Sequence, residues 1–144
     1  MQKSIEIKKE NSLSVSQLKE ILEIERLSFE NPWSETMFLS PDESYILAFY
    51  RGKIAGYLCF STVLDECHIL NVAVHPELRR KGIAQKMFDY LFKEGEEEGI
   101  KFYYLEVKIT NSPAISFYEK NGFRKLGVRK KYYEDGTDAL VMVK

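Results

Sequence analysis

The sequence predicts a mixed α/β fold, with one central β-sheet of about seven strands and four flanking helices. Apolar runs of strand length alternate with segments of helical apolar spacing along the chain. Three such runs joined by short turns predict an antiparallel meander. A helix of about four turns then leads from the last of these strands to the next one, and this crossover predicts that the two strands are parallel.

The N-terminal half is predicted to contain a strand, two helices and the meander. Ser14 followed by Gln17 is the pattern of a capping box at a helix start. Pro32 ends that helix, and Ser34 is placed to cap a short second one. The predicted elements are a strand at 4–8, helices at 14–29 and from 34 onwards, and strands at 45–50, 54–63 and 67–74.

The C-terminal half is predicted to contain two helices and three strands. Gly99 is placed to stop the first helix, and Asn111 to cap the second, with Pro113 in its first turn. No linker or repeat divides the chain, so residues 1–144 are predicted to form one domain. The predicted elements are helices at 83–98 and 111–121, and strands at 102–107, 123–133 and 139–143.

Composition and charge exclude several classes of protein. Hydrophobic residues make up 44% of the chain, which is ordinary for a soluble globular domain. The formal net charge of -1 provides no overall basic field for nucleic-acid binding. The N-terminus lacks the apolar core of a signal peptide, and no run approaches the ~20 apolar residues of a membrane span. We therefore expect a cytoplasmic protein without direct membrane or nucleic-acid partners.

The two cysteines do not indicate a metal site. Cys59 and Cys67 both lie inside apolar, strand-like runs, which predicts buried, reduced thiols. A zinc site needs more ligands at tighter spacing, and His68 and His75 do not complete one. The sequence therefore predicts no bound metal.

The stretch from Asn71 to Gln85 predicts an anion site. Its apolar run stops at Pro76, the cations Arg79–Lys81 follow, and helical spacing begins just after Gly82. A helix N-terminus offers unpaired N–H groups and a positive dipole end, and glycine lets a ligand approach the backbone. The stretch contains neither the P-loop motif nor the G-x-G-x-x-G dinucleotide motif. A phosphate group is the predicted ligand, and a solvated basic face is the alternative.

A glutamate, Glu106, interrupts an apolar strand. Alternation places it on the face opposite Leu105 and Val107. If that face is buried, loss of hydration makes the carboxylate a better proton acceptor and a candidate general base. A solvent-facing glutamate on a half-exposed sheet is the other interpretation.

Three further residues have both a structural and a functional interpretation. Tyr118 follows Asn111 by seven residues, about two helical turns, so the two share a helix face. Tyr118 is either a core aromatic or a proton donor, and Asn111 is either a helix cap or a ligand contact. Trp33, the only tryptophan, is predicted to anchor two helices together or to line a substrate groove, and it can do both if it packs on one side and faces a cleft on the other.

The basic loop and several other motifs resemble those of the GNAT acetyltransferases. Arg79 to Ala84 is similar to the family signature [Q/R]-x-x-G-x-[G/A], with Ala84 where a second glycine often stands. The resemblance extends in order and spacing over about residues 20 to 143. It includes Asn31-Pro32-Trp33-Ser34, Asn71-Val72-Ala73-Val74, Leu105-Glu106-Val107, Asn111-Ser112-Pro113-Ala114-Ile115 and Phe117-Tyr118-Glu119-Lys120-Asn121-Gly122-Phe123.

This resemblance implies the GNAT fold, in which the two parallel central strands splay apart as a V, and it implies residue roles. Glu106 would be the general base, acting through water, and Tyr118 the general acid for the departing CoA thiolate. Trp33 and Tyr133 would line a peptide groove. The residues implied to bind acetyl-CoA are Val72, Ala73, Val74, Arg79, Arg80, Lys81, Gly82, Ile83, Ala84, Gln85 and Asn111.

The implied activity is direct transfer of an acetyl group from acetyl-CoA to the N-terminal α-amine of a protein. The motifs are most similar to the branch of the family that acetylates the N-terminal alanine of a small-subunit ribosomal protein. Acetylation of a lysine side chain or a small-molecule amine is an alternative, and a non-catalytic CoA-binding module is another. Arg129–Lys131 either steers substrate or is a solvated strand end. The expected assembly is a monomer or a weak dimer.

Overall fold

A computed structural model of the protein describes residues 4–144 and contains one seven-stranded sheet. Residues 1–3, which enter the prediction that no signal peptide is present, lie outside the described part. None of the helices between residues 4 and 144 combines the length and apolar character that spanning a membrane requires. The strands are β1 (Glu6–Glu10), β2 (Ser44–Tyr50), β3 (Lys53–Val63), β4 (Glu66–Val74), β5 (Phe102–Lys108), β6 (Arg124–Arg129) and β7 (Ala139–Val143).

The sheet order is β1-β2-β3-β4-β5-β7-β6, and β4 and β5 are its only parallel neighbours among the described strands. This confirms the predicted mixed sheet with an antiparallel meander followed by a crossover. The described part contains three α-helices rather than the predicted four, because the second predicted helix is a short 3-10 helix. The helices are α1 (Val15–Ser28), α2 (Ile83–Glu98) and α3 (Ser112–Lys120), with 3-10 helices at Glu35–Leu39 and Pro76–Leu78.

Local sequence signals account for most element ends. The Ser14 hydroxyl accepts a hydrogen bond from the Gln17 amide at 3.1 Å, and the Gln17 side chain accepts one from the Ser14 amide at 2.9 Å. This confirms the predicted capping box. Ser34 occupies the N-cap position of its 3-10 helix without a side-chain capping bond. Gly99 ends α2 in the left-handed conformation that favours glycine.

Strand β6 is shorter than predicted. The sequence predicts a strand to residue 133, but β6 ends at Arg129. Lys131 has φ +50°, which an extended strand does not allow, and its amide donates to Asp138 Oδ1 at 2.9 Å. The chain therefore turns early, and Tyr133 lies in the loop before β7.

Two apolar layers cover the sheet. Helix α2 and the aromatic face of α3 pack on one side, around Phe88 and Leu105. Helix α1 packs on the other side, where Tyr57 and Leu47 belong to its cluster. Both cysteines are buried and free, as predicted. Within residues 4–144 no group of three or more His, Cys, Asp or Glu side chains is placed to hold a metal ion.

Strands β4 and β5 separate after a short paired segment. Their recorded pairs run from Glu66 with Phe102 to His68 with Tyr104 and no further within the described residues. The register of β4 against β3 shifts by one residue at Leu70, which is the mark of a β-bulge. A bulge bends its strand and increases the local twist, so β4 turns away from β5. The V-shaped splay implied by the resemblance is present.

Candidate active site

An open cleft of about 620 Å³ lies beside the splayed end of β4. The end of β4, the basic loop, the start of α2 and the start of α3 form its walls. Most of the predicted ligand-binding residues therefore meet in one place. Those that line the cleft are Val72, Ala73, Val74, Arg79, Arg80, Gly82, Ile83, Ala84, Gln85, Asn111 and Tyr118.

The start of α2 presents unpaired backbone amides to the cleft. The first recorded backbone bond there runs from the Lys86 amide to the Gly82 carbonyl, at 3.1 Å. No hydrogen bond recorded within residues 4–144 uses the amides of Ile83–Gln85, and Gly82 has no side-chain cap to offer. Both Arg80 and Gly82 have positive φ, at +64° and +77°. Left-handed residues next to right-handed ones point successive backbone N–H groups into one concave surface, and such surfaces bind anions.

The three loop cations have different surroundings. Arg79 donates from Nε to the Val74 carbonyl at 3.1 Å and from its terminal nitrogen to the Ser28 hydroxyl at 3.1 Å. It therefore braces β4 against the end of α1 while it lines the cleft. Arg80 lines the cleft as well, whereas Lys81 is exposed and lies outside the lining.

The splayed end of β4 leaves one strand edge available in the cleft. Residues 72–74 pair with β3 on one side and with no strand of the described chain on the other. An unpaired strand edge offers alternating N–H and C=O groups to an extended ligand. Asn111 faces the cleft from the start of α3, where its side chain also caps the helix by accepting from the Ala114 amide at 3.2 Å.

Tyr118 reaches the cleft from the aromatic core. Its ring packs edge-on against Phe88, Phe117 and Phe123, and only 8% of the residue is exposed. Burial, with a smaller contribution from Tyr133, raises the pKa of Tyr118 to about 12. No hydrogen bond of its hydroxyl is recorded within residues 4–144. At neutral pH this hydroxyl is therefore protonated and available to a group in the cleft.

Glu106 lies on the predicted face of β5, but that face is exposed. The carboxylate makes an ion pair with Arg129, with 2.8 Å between Oε2 and Nε. From the sequence, we expect Glu106 to become a better proton acceptor only if its face of the sheet is buried, and that face is not buried. Glu106 is not part of the cleft lining.

Tyr133 interacts electrostatically with both Glu106 and Tyr118. Burial, followed by the charge of Glu106, raises the pKa of Tyr133 to about 12. Tyr133 in turn contributes to the raised pKa of Tyr118. The ammonium of Lys108 lies 5.5 Å from the Tyr133 ring, and the same ammonium pairs with Asp135 at 2.8 Å. These contacts hold the loop before β7 against β5.

Trp33 is placed as a packing anchor. Its ring lies 5.1 Å from the Phe38 ring, and it is not part of the cleft lining. Its amide donates to Glu25 Oε2 at 2.8 Å. The loop that holds Trp33 nevertheless borders the cleft, because its first residue, Phe29, lines it.

Several residues of the site were not predicted from the sequence. Phe29, Phe88 and Phe117 line the cleft but have only the spacing of ordinary helix-face aromatics. Arg129 belonged to a basic run with no single predicted role. Glu25 is buried with 1% of its surface exposed, although its sequence context is that of a solvated helix glutamate.

Comparison with known proteins gives consistent matches. A model of the acetyltransferase (GNAT) family matches residues 18–123. The [ribosomal protein bS18]-alanine N-acetyltransferase of Escherichia coli is 35% identical over 138 residues, which cover 92% of this chain and 93% of that protein. An N-alpha-acetyltransferase of Saccharolobus solfataricus is 32% identical over 142 residues, covering 87% of this chain and 85% of that protein.

The fold agrees with these matches. The crystal structure of the ribosomal-protein-alanine N-acetyltransferase from Escherichia coli has a TM-score of 0.88 to this structure at 32% identity. The match covers 97% of this chain and 92% of that chain. With its splayed parallel strands, its amide-lined helix start and these relatives, the chain belongs to the GNAT family of acetyltransferases.

Proposed function

We propose that this protein transfers the acetyl group of acetyl-CoA to the N-terminal α-amine of a protein. The observation that carries the proposal is one cleft in which unpaired amides of α2, the free edge of β4 and the Tyr118 hydroxyl meet. The amides suit a diphosphate, the strand edge suits the amide-containing arm of CoA, and the hydroxyl suits a leaving thiolate.

The residues of the chain bind acetyl-CoA at successive points. Arg80 to Gln85 hold the pyrophosphate with backbone N–H groups, and Arg80 adds charge-assisted contacts. Val72–Val74 bond the extended pantetheine arm as an added strand would. Asn111 contacts the same arm from α3. The thioester then lies in the opening between β4 and β5.

The transfer needs three proton movements. Glu106 accepts a proton from the acceptor's ammonium through a water, and the free amine attacks the thioester carbonyl. An N–C bond forms as the C–S bond breaks, and Tyr118 donates its hydroxyl proton to the departing sulfur. The nitrogen loses a second proton as it becomes an amide, and that proton restores the Tyr118 hydroxyl through water. Proximity supplies much of the rate, because both substrates are held in one cleft.

The proposed acceptor is a protein N-terminus, and within that class the N-terminal alanine of a small-subunit ribosomal protein. The names of the relatives at 35% and 32% identity support an α-amine acceptor. The space between the loop after α1 and the loop that holds Tyr133 is the proposed peptide groove. We expect the reaction to take place in the cytoplasm, where ribosomal proteins are made.

Two experiments test this proposal. Mass spectrometry of protein N-termini from cells with and without the gene should show one or a few N-termini that lose acetylation, among them a ribosomal protein. In vitro, CoA release should be fastest with a peptide that begins with alanine. N-terminally blocked lysine peptides, polyamines and aminoglycosides serve as comparison acceptors. Faster release with one of these would replace the proposed acceptor, and acetyl-CoA binding without release on any amine would indicate a non-catalytic module.

A further inference from the structure

A buried carboxylate joins one wall of the proposed peptide groove, the loop after α1, to strand β4. Glu25, on α1, is 1% exposed and accepts hydrogen bonds from three elements. Its Oε1 accepts from the Tyr57 hydroxyl of β3 and, at 2.8 Å, from the Asn71 side-chain amide of β4. Its Oε2 accepts from the Trp33 backbone amide at 2.8 Å. We call Glu25, Tyr57, Asn71 and Trp33 the Glu25 clamp.

The clamp is a satisfied polar network within an apolar layer. Burying a carboxylate costs several kcal/mol unless its oxygens are bonded, and bonds to a charged acceptor are the strong ones. Burial, with the charge of Glu25, raises the pKa of Tyr57 far above its usual value. The phenol therefore keeps its proton and remains a donor, so all three partners of Glu25 donate to it.

The loop between α1 and the 3-10 helix depends on this clamp. Among the hydrogen bonds recorded within residues 4–144, backbone groups of residues 30–33 make only the one from Trp33 to Glu25. The Trp33 ring itself packs on Phe38, within the apolar layer under α1. At the opposite end of the clamp, Asn71 immediately precedes the residues of β4 that line the cleft.

We propose that Glu25 is a positioning residue that fixes the loop of residues 29–33 beside β4 and thereby sets the affinity for the acceptor peptide. The inference rests on the proposed function, because it assigns the loop to the acceptor groove. Glu25 touches neither substrate in this assignment. It acts by holding one wall of the groove at a fixed distance from the strand that binds acetyl-CoA.

The substitution Glu25→Gln tests the clamp with little change in volume. A glutamine has one acceptor atom where the glutamate has two, so it cannot serve both the Oε1 donors and the Trp33 amide. A hydrogen bond to a charged group contributes about 1.5–3 kcal/mol, so we expect the acceptor KM to rise roughly tenfold or more. The kcat at saturating peptide and the Kd for acetyl-CoA should change little.

Trp33 provides a readout that does not depend on catalysis. It is the only tryptophan, so intrinsic fluorescence reports on this loop alone. In the Glu25→Gln protein, acrylamide should quench Trp33 more strongly than in wild type. Saturating alanine-initiated peptide should reduce that difference by refilling the groove.

Two further variants separate positioning from general destabilisation. Glu43→Gln is the matched control, because Glu43 is the other buried carboxylate in the described chain and accepts from the Cys59 thiol rather than from the loop. It should leave the acceptor KM and the Trp33 quenching unchanged. Asn71→Ala removes the tie to β4 without altering Glu25, and should raise the acceptor KM even if Glu25→Gln fails to fold.

Unchanged acceptor KM in folded Glu25→Gln or in Asn71→Ala would overturn the inference. A fall in kcat alone, or the same KM increase in Glu43→Gln, would also overturn it. If wild type acetylates no peptide, the proposed function fails. The quenching comparison would still show whether Glu25 holds the loop.

Discussion

Arg129 and Glu106 form an ion pair on the exposed face of β5, with 2.8 Å between Nε and Oε2. The Arg129 guanidinium therefore binds the Glu106 carboxylate, which is the group proposed to receive the acceptor's proton. Arg129 is 62% exposed at its side chain, so the pair is screened by solvent and readily broken. The free enzyme therefore holds its proposed base in a paired state.

Replacing Arg129 with glutamine is expected to lower the acceptor KM. An exposed ion pair of this kind contributes ~0.2–1 kcal/mol to stability. If the Arg129–Glu106 pair has to break when the acceptor binds, its removal should increase acceptor affinity by about 1.4- to 5-fold. Steady-state kinetics with an alanine-initiated peptide measures the effect. Lys130→Gln is the control, because Lys130 pairs with Asp138 instead. A raised KM for Arg129→Gln would show that the guanidinium assists acceptor binding.

The substitution Glu106→Gln is expected to lower activity chiefly at neutral pH. An α-ammonium has a pKa of about 8. At a pH well above 8 the acceptor is already a free amine, so the reaction depends less on a general base. Profiles of kcat/KM between pH 6 and pH 10 should show the variant approaching wild type at the alkaline end. A profile identical to wild type at every pH would remove Glu106 from the reaction.

The substitution Tyr118→Phe is expected to slow turnover while acetyl-CoA binding is retained. The change removes one hydroxyl and keeps the buried ring, and general acid catalysis contributes about 10²–10⁴-fold. Single-turnover kinetics and acetyl-CoA titration measure the two effects separately. Tyr90→Phe on α2, outside the cleft lining, is the control. Wild-type turnover in Tyr118→Phe would refute the role of this hydroxyl.

The two glycines that cap α2, one at each end, allow a matched test of the proposed pyrophosphate loop. Gly82 and Gly99 have φ of +77° and +81°, and a Cβ on either would meet no atom within 4 Å. Alanine at each should therefore destabilise the fold by a similar ~1 kcal/mol through backbone strain alone. Only Gly82→Ala should weaken acetyl-CoA binding, because only that glycine precedes the free amides. Equal Kd values for the two variants in calorimetry would contradict this assignment.

Stability is expected to fall between pH 10 and pH 12. Burial raises the pKa of Tyr118 to about 12 in the folded chain, against about 10 for an unfolded tyrosine. The folded state thus holds the Tyr118 proton more tightly than the unfolded state does. The resulting contribution to the free energy of unfolding is complete below pH 10 and is lost as the pH rises through 12. Each pKa unit corresponds to about 1.4 kcal/mol. Urea denaturation across this range should show a shallower decline for Tyr118→Phe than for wild type.

The sequence predicted the elements whose signals are local. Capping at Ser14 and the crossover from β4 to β5 depend on neighbouring residues or on chain connectivity, and both are present. The predicted end of strand β6 was wrong, because the turn at Lys131 depends on Asp138, seven residues later. The shared face of Asn111 and Tyr118 was predictable from helical spacing.

Features that depend on distant partners were not predictable. Alternation gave the correct face for Glu106, but whether that face is covered depends on where helices pack, and α1 packs on β3 and β4. Glu25 resembles any helix glutamate, because its partners lie 8, 32 and 46 residues away. The packing of Trp33 on Phe38, away from the cleft lining, likewise follows from tertiary packing.

The bulge at Leu70 also reverses the phase of side chains along β4. Before it, Cys67 and Ile69 face the α2 layer, whereas two and four residues after Ile69, Asn71 and Ala73 face the α1 layer. Strict alternation would have kept all four on one side. One extra residue therefore both opens the strands where CoA is proposed to bind and turns the Asn71 amide toward Glu25, so the two halves of the proposed site are fixed by a single irregularity in one strand.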